Sequence, residues 1–457
     1  MDRVKRLRGE LKENDAELVR IMGKRMRITD EIGRRKKALG EPVRNPGVEN
    51  EIVANARKNA AAEKIHPQTV EAVMRTLIAE SRLRQESARM PRKAGLPAGP
   101  DDANVSVSWH LPPPVEFRKA VPRSEKAAGT IIAARKAVRD ILDGRDGRIA
   151  VIMGPCSIHD AEQAEEYAVK IAKLQKKVKG RFLLVMRAYV EKPRSGKGWT
   201  GFLTEPYLDG TGDVQEGIVM TRKLLNRMAE MGVPAAVEFI SPFSAQYIGD
   251  LVSWGIVGAR SSGSQTHRDL ASGLAMPVGF KNATDGSAEP ALGAIEYAGT
   301  GHDFIGMDDA GSIRTLRTKG NSHCHLILRG GKRPNYGAKN LARILGKLES
   351  AGLRTAIVVD CSHGNSGKVA KNQIRVFRDV IRQRRAGNAD IVGLMLESNL
   401  VGGSQKLPGC LAGFDSRKLR RGVSVTDQCL GWDETERVIL RPGEASLTAH
   451  CMPALDW

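Results

Sequence analysis

Four residues of differing ligand chemistry, Cys156, His363, Glu397 and Asp427, offer one thiolate, one imidazole and two carboxylates. Each alone is ordinary, since cysteine is commonly buried as a small hydrophobe and a single histidine is usually just hydrogen-bonded. Together they compose a divalent-metal site. The mixture of soft and hard donors favours Mn²⁺, Fe²⁺, Co²⁺ or Zn²⁺ over Ca²⁺ or Mg²⁺. Arg187, Arg260, Lys281 and Arg329 form a second, cationic set. Burying these side chains together costs considerable electrostatic energy unless an anion compensates them, so the expected ligand carries phosphate and carboxylate. The segment KPRSGKGW, Lys192–Trp199, adds Lys192, Arg194 and Lys197 in a glycine-bearing loop suited to a second phosphate, although an exposed basic loop has the same composition.

These residues must be brought together by the elements that carry them. Short apolar runs alternate with helical patterns: RIAVIMG from Arg148, FLLVMR from Phe182, PAAVEF from Pro234, GIVGAR from Gly255, PVGFK from Pro277, HLILRG from His325, TAIVVD from Thr355 and DIVGLMLE from Asp390. Followed to their ends, the runs arrive at Cys156, Arg187, Glu238, Arg260, Lys281, Arg329, His363 and Glu397. Strand-like runs separated by helices predict an α/β fold, a (β/α)8 TIM barrel, whose reacting groups gather where the strands end. One or two charged residues at such ends would be solvated loop positions; a polar or reactive residue after every run points to a site. A further run, DFIGMD from Asp303, has no long helix before HLILRG and is expected to belong to an inserted hairpin.

The N-terminal part reads differently. Val4, Leu7, Leu11, Leu18, Ile21, Met22, Ile28 and Ile32 recur at helical spacing with no proline, predicting one long amphipathic helix from Asp2 to about Ala38, ended by Gly40 and Pro42. Two shorter helices are expected over Val48–Ala62 and His66–Ala88. An all-helical unit this thin cannot bury its own faces and is expected to dimerise. The stretch Met90–Pro114 has proline, glycine and aspartate clusters without periodicity and reads as a linker. The expected domains are therefore residues 1–89, helical; 90–114, linker and N-terminal extension; and 115–457, barrel. A chain of 457 residues accommodates both.

Composition narrows the partners. The net charge of +20 suits either nucleic acid or anionic small molecules. Aromatic residues at 4% leave few stacking platforms for single strands, and no zinc-finger or RNA-binding motif is present, so nucleic acid is not an expected partner. No apolar run approaches the roughly 20 residues of a membrane span. Six scattered cysteines and a charged N-terminal helix fit the reducing cytoplasm rather than secretion.

GPCSIHD (Gly154–Asp160), MRAYVEKPR (Met186–Arg194), GARSS (Gly258–Ser262), GFKNATDG (Gly279–Gly286), ILRGGKRPNY (Ile327–Tyr336), DCSHGNS (Asp360–Ser366) and SVTDQCLGW (Ser424–Trp432) together resemble type I 3-deoxy-D-arabino-heptulosonate 7-phosphate (DAHP) synthases, collinearly from about Leu111 to Trp432. That resemblance implies condensation of phosphoenolpyruvate with erythrose 4-phosphate, the first step of the shikimate pathway to aromatic amino acids. It makes Cys156, His363, Glu397 and Asp427 the ligands of one divalent ion per barrel, Mn²⁺ first, with Fe²⁺, Co²⁺ or Zn²⁺ as alternatives. Arg187, Arg260, Lys281 and Arg329 would hold phosphoenolpyruvate, and Lys192 with Arg194 the sugar phosphate. Lys192, Lys281 and Glu238 are the implied catalytic groups.

The first domain resembles the all-helical chorismate mutases over roughly Asp2–Ala88, which carries across Arg8, Arg25, Lys36, Glu49, Ser81 and Gln85 as a chorismate or prephenate site. At about 100° per residue Arg25 and Lys36 fall within about 20° of each other while Arg8 points elsewhere, as expected if Arg8 serves the partner chain of a dimer. Ser81 and Gln85 share a helix face. Asn45 and Val48 stand where that family commonly has an acid and an arginine. The helical domain is expected to be catalytic, regulatory or both, in a homo-oligomer that is at least a dimer through the helical domain, with a tetramer as the alternative. Two other readings compete: a Schiff-base aldolase using Lys281 as nucleophile, and a basic nucleic-acid-binding protein, which would bind with steep salt dependence.

Overall fold

The computed structural model describes residues 2–39, 41, 45–71, 73, 74, 77, 78, 81, 104, 110–194, 196–412 and 414–443. The chain divides into two compact units, Met1–Pro112 and Pro113–Trp457.

In the first unit the proline-free amphipathic pattern forms one helix, Asp2–Ala38. The second helix, Pro46–Ala62, begins two residues before the expected Val48. Its start is set by Asn45, whose Oδ1 accepts from the Val48 amide at 3.2 Å as an N-cap, and by Pro46, whose fixed φ suits a first turn. Helical residues recur from 67 to 81, beyond which the chain lies outside the described residues. Met26, Val53, Ala60, Leu77 and Ile78 make a small core. The apolar stripe of the long helix does not join it: Val4, Leu7, Leu11, Leu18, Ile21, Ile28 and Ile32 are each at least 42% exposed.

In the second unit a helix starts at Pro114, while most of the expected linker before it lies outside the described residues. The barrel strands are β1 (Ile149–Gly154), β2 (Phe182–Arg187), β3 (Ala235–Glu238), β4 (Trp254–Val257), β5 (Val278–Lys281), β8 (Cys324–Leu328), β9 (Ile357–Asp360) and β10 (Ile391–Glu397). They close in the order β1-β10-β9-β8-β5-β4-β3-β2, every pair parallel. The expected hairpin is β6 (Asp303–Met307) and β7 (Ile313–Arg317), an antiparallel pair outside the barrel. Ile152, Val185, Trp254, Ile256, Ile327, Val358 and Met395 pack in one buried cluster, so the barrel is a filled core and not a pore. Within it the Trp254 indole donates to His325 Nε2 at 3.2 Å. Helices between the strands are fixed by caps such as Asp160, whose carboxylate accepts from the Gln163 amide at 3.0 Å. Among the described residues no helix is long and apolar enough to cross a membrane.

Four of the expected end residues, Cys156, Arg260, Arg329 and His363, lie beyond the last residue of their strands. β4 stops at Val257, three residues before Arg260, because Gly258 passes so close to Glu238 that a Cβ there would lie 2.4 Å from Oε1. β9 stops at Asp360, and His363 beyond it takes a left-handed φ of 53°, unusual for a residue with a side chain.

Candidate active site

A cleft of about 210 Å³ opens where the strands end, lined by Arg187, Lys192, Arg194, Glu238, Arg260, Lys281, Arg329, His363, Glu397 and Asp427 among others. Its floor is one coupled network. Arg187, the last residue of β2 and 1% exposed, donates to the carbonyls of Pro155 and Cys156 and reaches Glu397 Oε1 at 3.1 Å. Its guanidinium stacks 3.6 Å from the Tyr189 ring centroid, and Lys281 Nζ approaches the same ring at 5.1 Å. Lys281 donates to Glu238 Oε2 at 3.0 Å and lies 3.9 Å from Asp360 Oδ2.

The pKa shifts follow from this wiring. Burial opposes the charge on Lys281, but Glu238 and Asp360 outweigh it and hold the ammonium above the usual lysine value. Burial likewise raises Glu238, while Lys281 and Arg187 bring it below the ordinary glutamate value. Tyr189 is pushed up to about 12 by burial, against the pull of the two cations.

On the opposite wall, Cys156, Glu397 and Asp427 place one donor atom each within 4.8 Å of one another. His363 Nε2 lies 3.6 Å from Glu397 Oε1, and its Nδ1 lies 2.9 Å from Asp360 Oδ2. Glu397 Oε1, although buried, accepts no hydrogen bond of good geometry, leaving a lone pair for another partner. A thiol and two carboxylates gathered beside an unsatisfied oxygen fit a divalent ion of intermediate softness, while the His363 imidazole, which reaches Glu397, lies outside that trio. Lys192 Nζ donates to Cys156 Sγ at 2.8 Å and lies 3.5 Å from Asp427. Burial pushes the Cys156 thiol up, and Glu397 adds to it, against Lys192 and Arg187.

The four expected cations are not buried alike. Arg187 and Lys281 are; Arg329 is half-buried and Arg260 exposed, because Arg260 follows the turn at Gly258 rather than ending a strand. Arg194 is also exposed, its Nε donating to the Trp199 carbonyl at 2.7 Å. The sequence reading passed over two buried groups: Tyr189, placed between the cations, and Asp360, set against His363. Their signal lay in MRAYVEKPR and DCSHGNS, two residues after Arg187 and three before His363.

In the helical unit Arg25 Nη1 donates to Ser81 Oγ at 2.6 Å and to the Leu77 carbonyl at 3.1 Å, and Thr29 donates to Ser81 at 3.4 Å. Burial lowers the Arg25 pKa. Lys36 and Glu49 are half-buried, Arg8 is exposed, and Gln85 lies outside the described residues. Arg8 and Arg25 lie on one straight helix 17 residues apart, about 25 Å along its axis, so Arg8 is not part of the Arg25 cluster of its own chain.

The fold and site define an α/β barrel with a cationic cleft beside metal-competent donors at its strand ends. Residues 122–439 match the model of the DAHP synthetase I family, and residues 7–86 match chorismate mutase type II. The chain is 45% identical over 339 residues to the Tyr-sensitive phospho-2-dehydro-3-deoxyheptonate aldolase of Escherichia coli (strain K12), covering 74% of this chain and 94% of that one. It is 43% identical to the Phe-sensitive enzyme of the same strain, covering 74% and 95%. Its fold is similar to phospho-2-dehydro-3-deoxyheptonate aldolase from Francisella tularensis SCHU S4, with a TM-score of 0.71 and 38% identity over 75% of this chain and all of that one. The chain belongs to the DAHP synthetase I family and carries an N-terminal chorismate mutase type II domain.

Proposed function

We propose that the barrel condenses phosphoenolpyruvate with erythrose 4-phosphate through the residues gathered in this cleft, and that Cys156, His363, Glu397 and Asp427 hold the divalent ion, Mn²⁺ by preference. The observation that carries the reading is Arg187, which bonds the Cys156 carbonyl with one guanidinium nitrogen and faces Glu397 with the other. Metal donors and phosphoenolpyruvate cations thus share one buried group.

When bound, the ion supplies Lewis-acid polarisation of the sugar aldehyde oxygen. Arg187 and Lys281 at the floor, with Arg260 and Arg329 at the rim, grip the carboxylate and phosphate of phosphoenolpyruvate and orient its C3 towards the aldehyde carbon. Lys192 and Arg194 hold the sugar phosphate. As the C3–C1 bond forms, the aldehyde oxygen takes a proton, which Lys192 Nζ is placed to donate. Water adds at C2, one of its protons restoring the Lys192 ammonium, and the tetrahedral product expels phosphate, which carries off the remaining hydroxyl proton, to leave the 2-ketone; Glu238 is the group assigned to that water. The cations stand in place before charge develops.

Lys281 does not suit the competing role of imine-forming nucleophile. Its amine is held as an ammonium by Glu238 and Asp360, and an imine requires the neutral form. Loading Co²⁺ in place of Mn²⁺ tests the metal assignment: a thiolate-to-cobalt charge-transfer band is expected, absent in Cys156→Ser. The same band in both proteins would overturn it.

For the helical unit the reading is rearrangement of chorismate to prephenate, with occupancy of that site lowering barrel activity. Arg25 with Ser81 forms the centre of that site. Arg8 would enter from a second copy, whose long helix would also cover the exposed stripe from Val4 to Ile32.

A further inference from the structure

Beyond Leu328, which pairs with Val359, the ladder between β8 and β9 ends, yet the backbone of Arg329 is held more tightly there than a loop requires. Three asparagines do this. Asn282, the residue after β5, accepts the Arg329 amide on Oδ1 at 2.7 Å and donates from Nδ2 to the Gly330 carbonyl at 3.1 Å. Asn335 accepts the Gly330 amide at 2.9 Å and donates to Asn282 Oδ1 at 3.3 Å. Asn365, in the β9 loop, accepts the Asn335 amide at 2.8 Å and donates to the carbonyls of Leu328 at 3.1 Å and Asp360 at 2.9 Å, while its own amide donates to the Arg329 carbonyl at 3.3 Å. Asn282 and Asn365 are at most 1% exposed.

Only a carboxamide can do this work, because each side chain both accepts from an amide and donates to a carbonyl; aspartate would set a charge against carbonyl oxygens, and leucine would leave backbone groups orphaned. Glycines let the loops close to this distance. A Cβ at Gly330 would lie 2.6 Å from the Asn365 amide nitrogen, and one at Gly364 would lie 2.6 Å from the Gly331 nitrogen. Asn365 sits two residues after His363, and the Asp360 whose carbonyl it binds faces His363 Nδ1 at 2.9 Å.

We propose that Asn282, Asn335 and Asn365 form a positioning clamp: they aim Arg329 at phosphoenolpyruvate and, through Asn365, tie that aim to the His363 loop, so that substrate grip and metal grip are set by one backbone arrangement. This rests on the reading that Arg329 binds phosphoenolpyruvate and His363 the metal. None of the three needs to touch a reacting atom.

The test is a double-mutant cycle in the full-length, Mn²⁺-loaded enzyme, with Mn²⁺ affinity measured separately by calorimetry without substrate. Asn335→Ala should raise KM for phosphoenolpyruvate on the order of ten-fold, the upper end for a single lost hydrogen bond, with Mn²⁺ affinity unchanged. In an Arg329→Ala background the same substitution should change KM by less than about two-fold, because the group it aims is gone. Asn365→Ser should weaken Mn²⁺ binding as well as raise KM. If Arg329→Ala raises KM but Asn335→Ala adds its full effect on top, the clamp is refuted and the site reading stands. If Arg329→Ala leaves KM unchanged, the site reading falls and takes the clamp with it. An Asn335→Ala enzyme with unaltered KM also refutes the clamp, and because Asn335 is only half-buried, that variant remains informative even if Asn365→Ser folds poorly.

Discussion

The two sites of this chain are built on opposite plans. In the barrel, groups separated by as much as the interval from Cys156 to Asp427 meet within hydrogen-bonding reach, and the most central, Arg187 and Lys281, are buried with Glu397 and Glu238 as their respective counter-charges. In the helical unit, Arg25 bonds Ser81 and the Leu77 carbonyl among the described residues, while Arg8 stands about 25 Å along the same helix. A closed sheet brings eight strand ends to one rim within a single chain. The long helix, Asp2–Ala38, leaves apolar residues from Val4 to Ile32 exposed, where a second copy is proposed to cover them. The barrel site should therefore depend on metal and internal wiring, and the helical site on neither.

The largest effect should come from chelation. Removing the divalent ion should abolish phosphate release from phosphoenolpyruvate while leaving conversion of chorismate to prephenate unaltered in the same sample; loss of both would erase the contrast. Next is Arg25→Ala, expected to lower mutase activity by on the order of a hundred-fold, as for a charged group removed from a partly buried anion site, with phosphoenolpyruvate turnover unchanged. Arg260→Ala comes third. Arg260 is exposed, so its loss should raise KM for phosphoenolpyruvate only about ten-fold, less than the roughly 2 to 5 kcal/mol expected of a fully desolvated pair. A smaller and purely structural effect belongs to His325. Buried in the barrel and bonded to Trp254, it has its pKa lowered to about 4 by burial, against the His323 carbonyl. A folded pKa below the unfolded value of about 6.5 means that stability is fully present above pH 6.5 and declines as pH falls towards 4, by at most a few kcal/mol. Melting temperature against pH reports this, and an identical slope in His325→Phe would assign the decline to other groups.

Much of the barrel was legible because each strand is an apolar run stopped by a polar residue, and the stop is the functional group: Arg187, Glu238, Lys281 and Glu397 are the last residues of their strands. Where a turn intervenes, the reading blurred. GIVGAR looks like one strand to Arg260, yet the chain leaves the sheet at Gly258 to make room for the Glu238 carboxylate, a contact made across the barrel wall and invisible in the local pattern. The same holds for His363, turned by a left-handed backbone towards Glu397 and Asp360. In the helical unit Arg25 is half-buried against Ser81 while Arg8 is exposed, in keeping with the different faces that 100° per residue assigns them. The start at Pro46 lies two residues before the apolar pattern begins, because its cap, Asn45, is outside any apolar periodicity.

Whether one metal ion and one cationic floor in this barrel join two phosphorylated substrates is read out by phosphate release in the full chain with phosphoenolpyruvate, with and without erythrose 4-phosphate, before and after chelation and again after adding Mn²⁺. Release is expected only when both substrates and the ion are present, lost on chelation and restored by Mn²⁺. Release that persists after chelation, with borohydride trapping an imine on Lys281, would contradict that joint requirement.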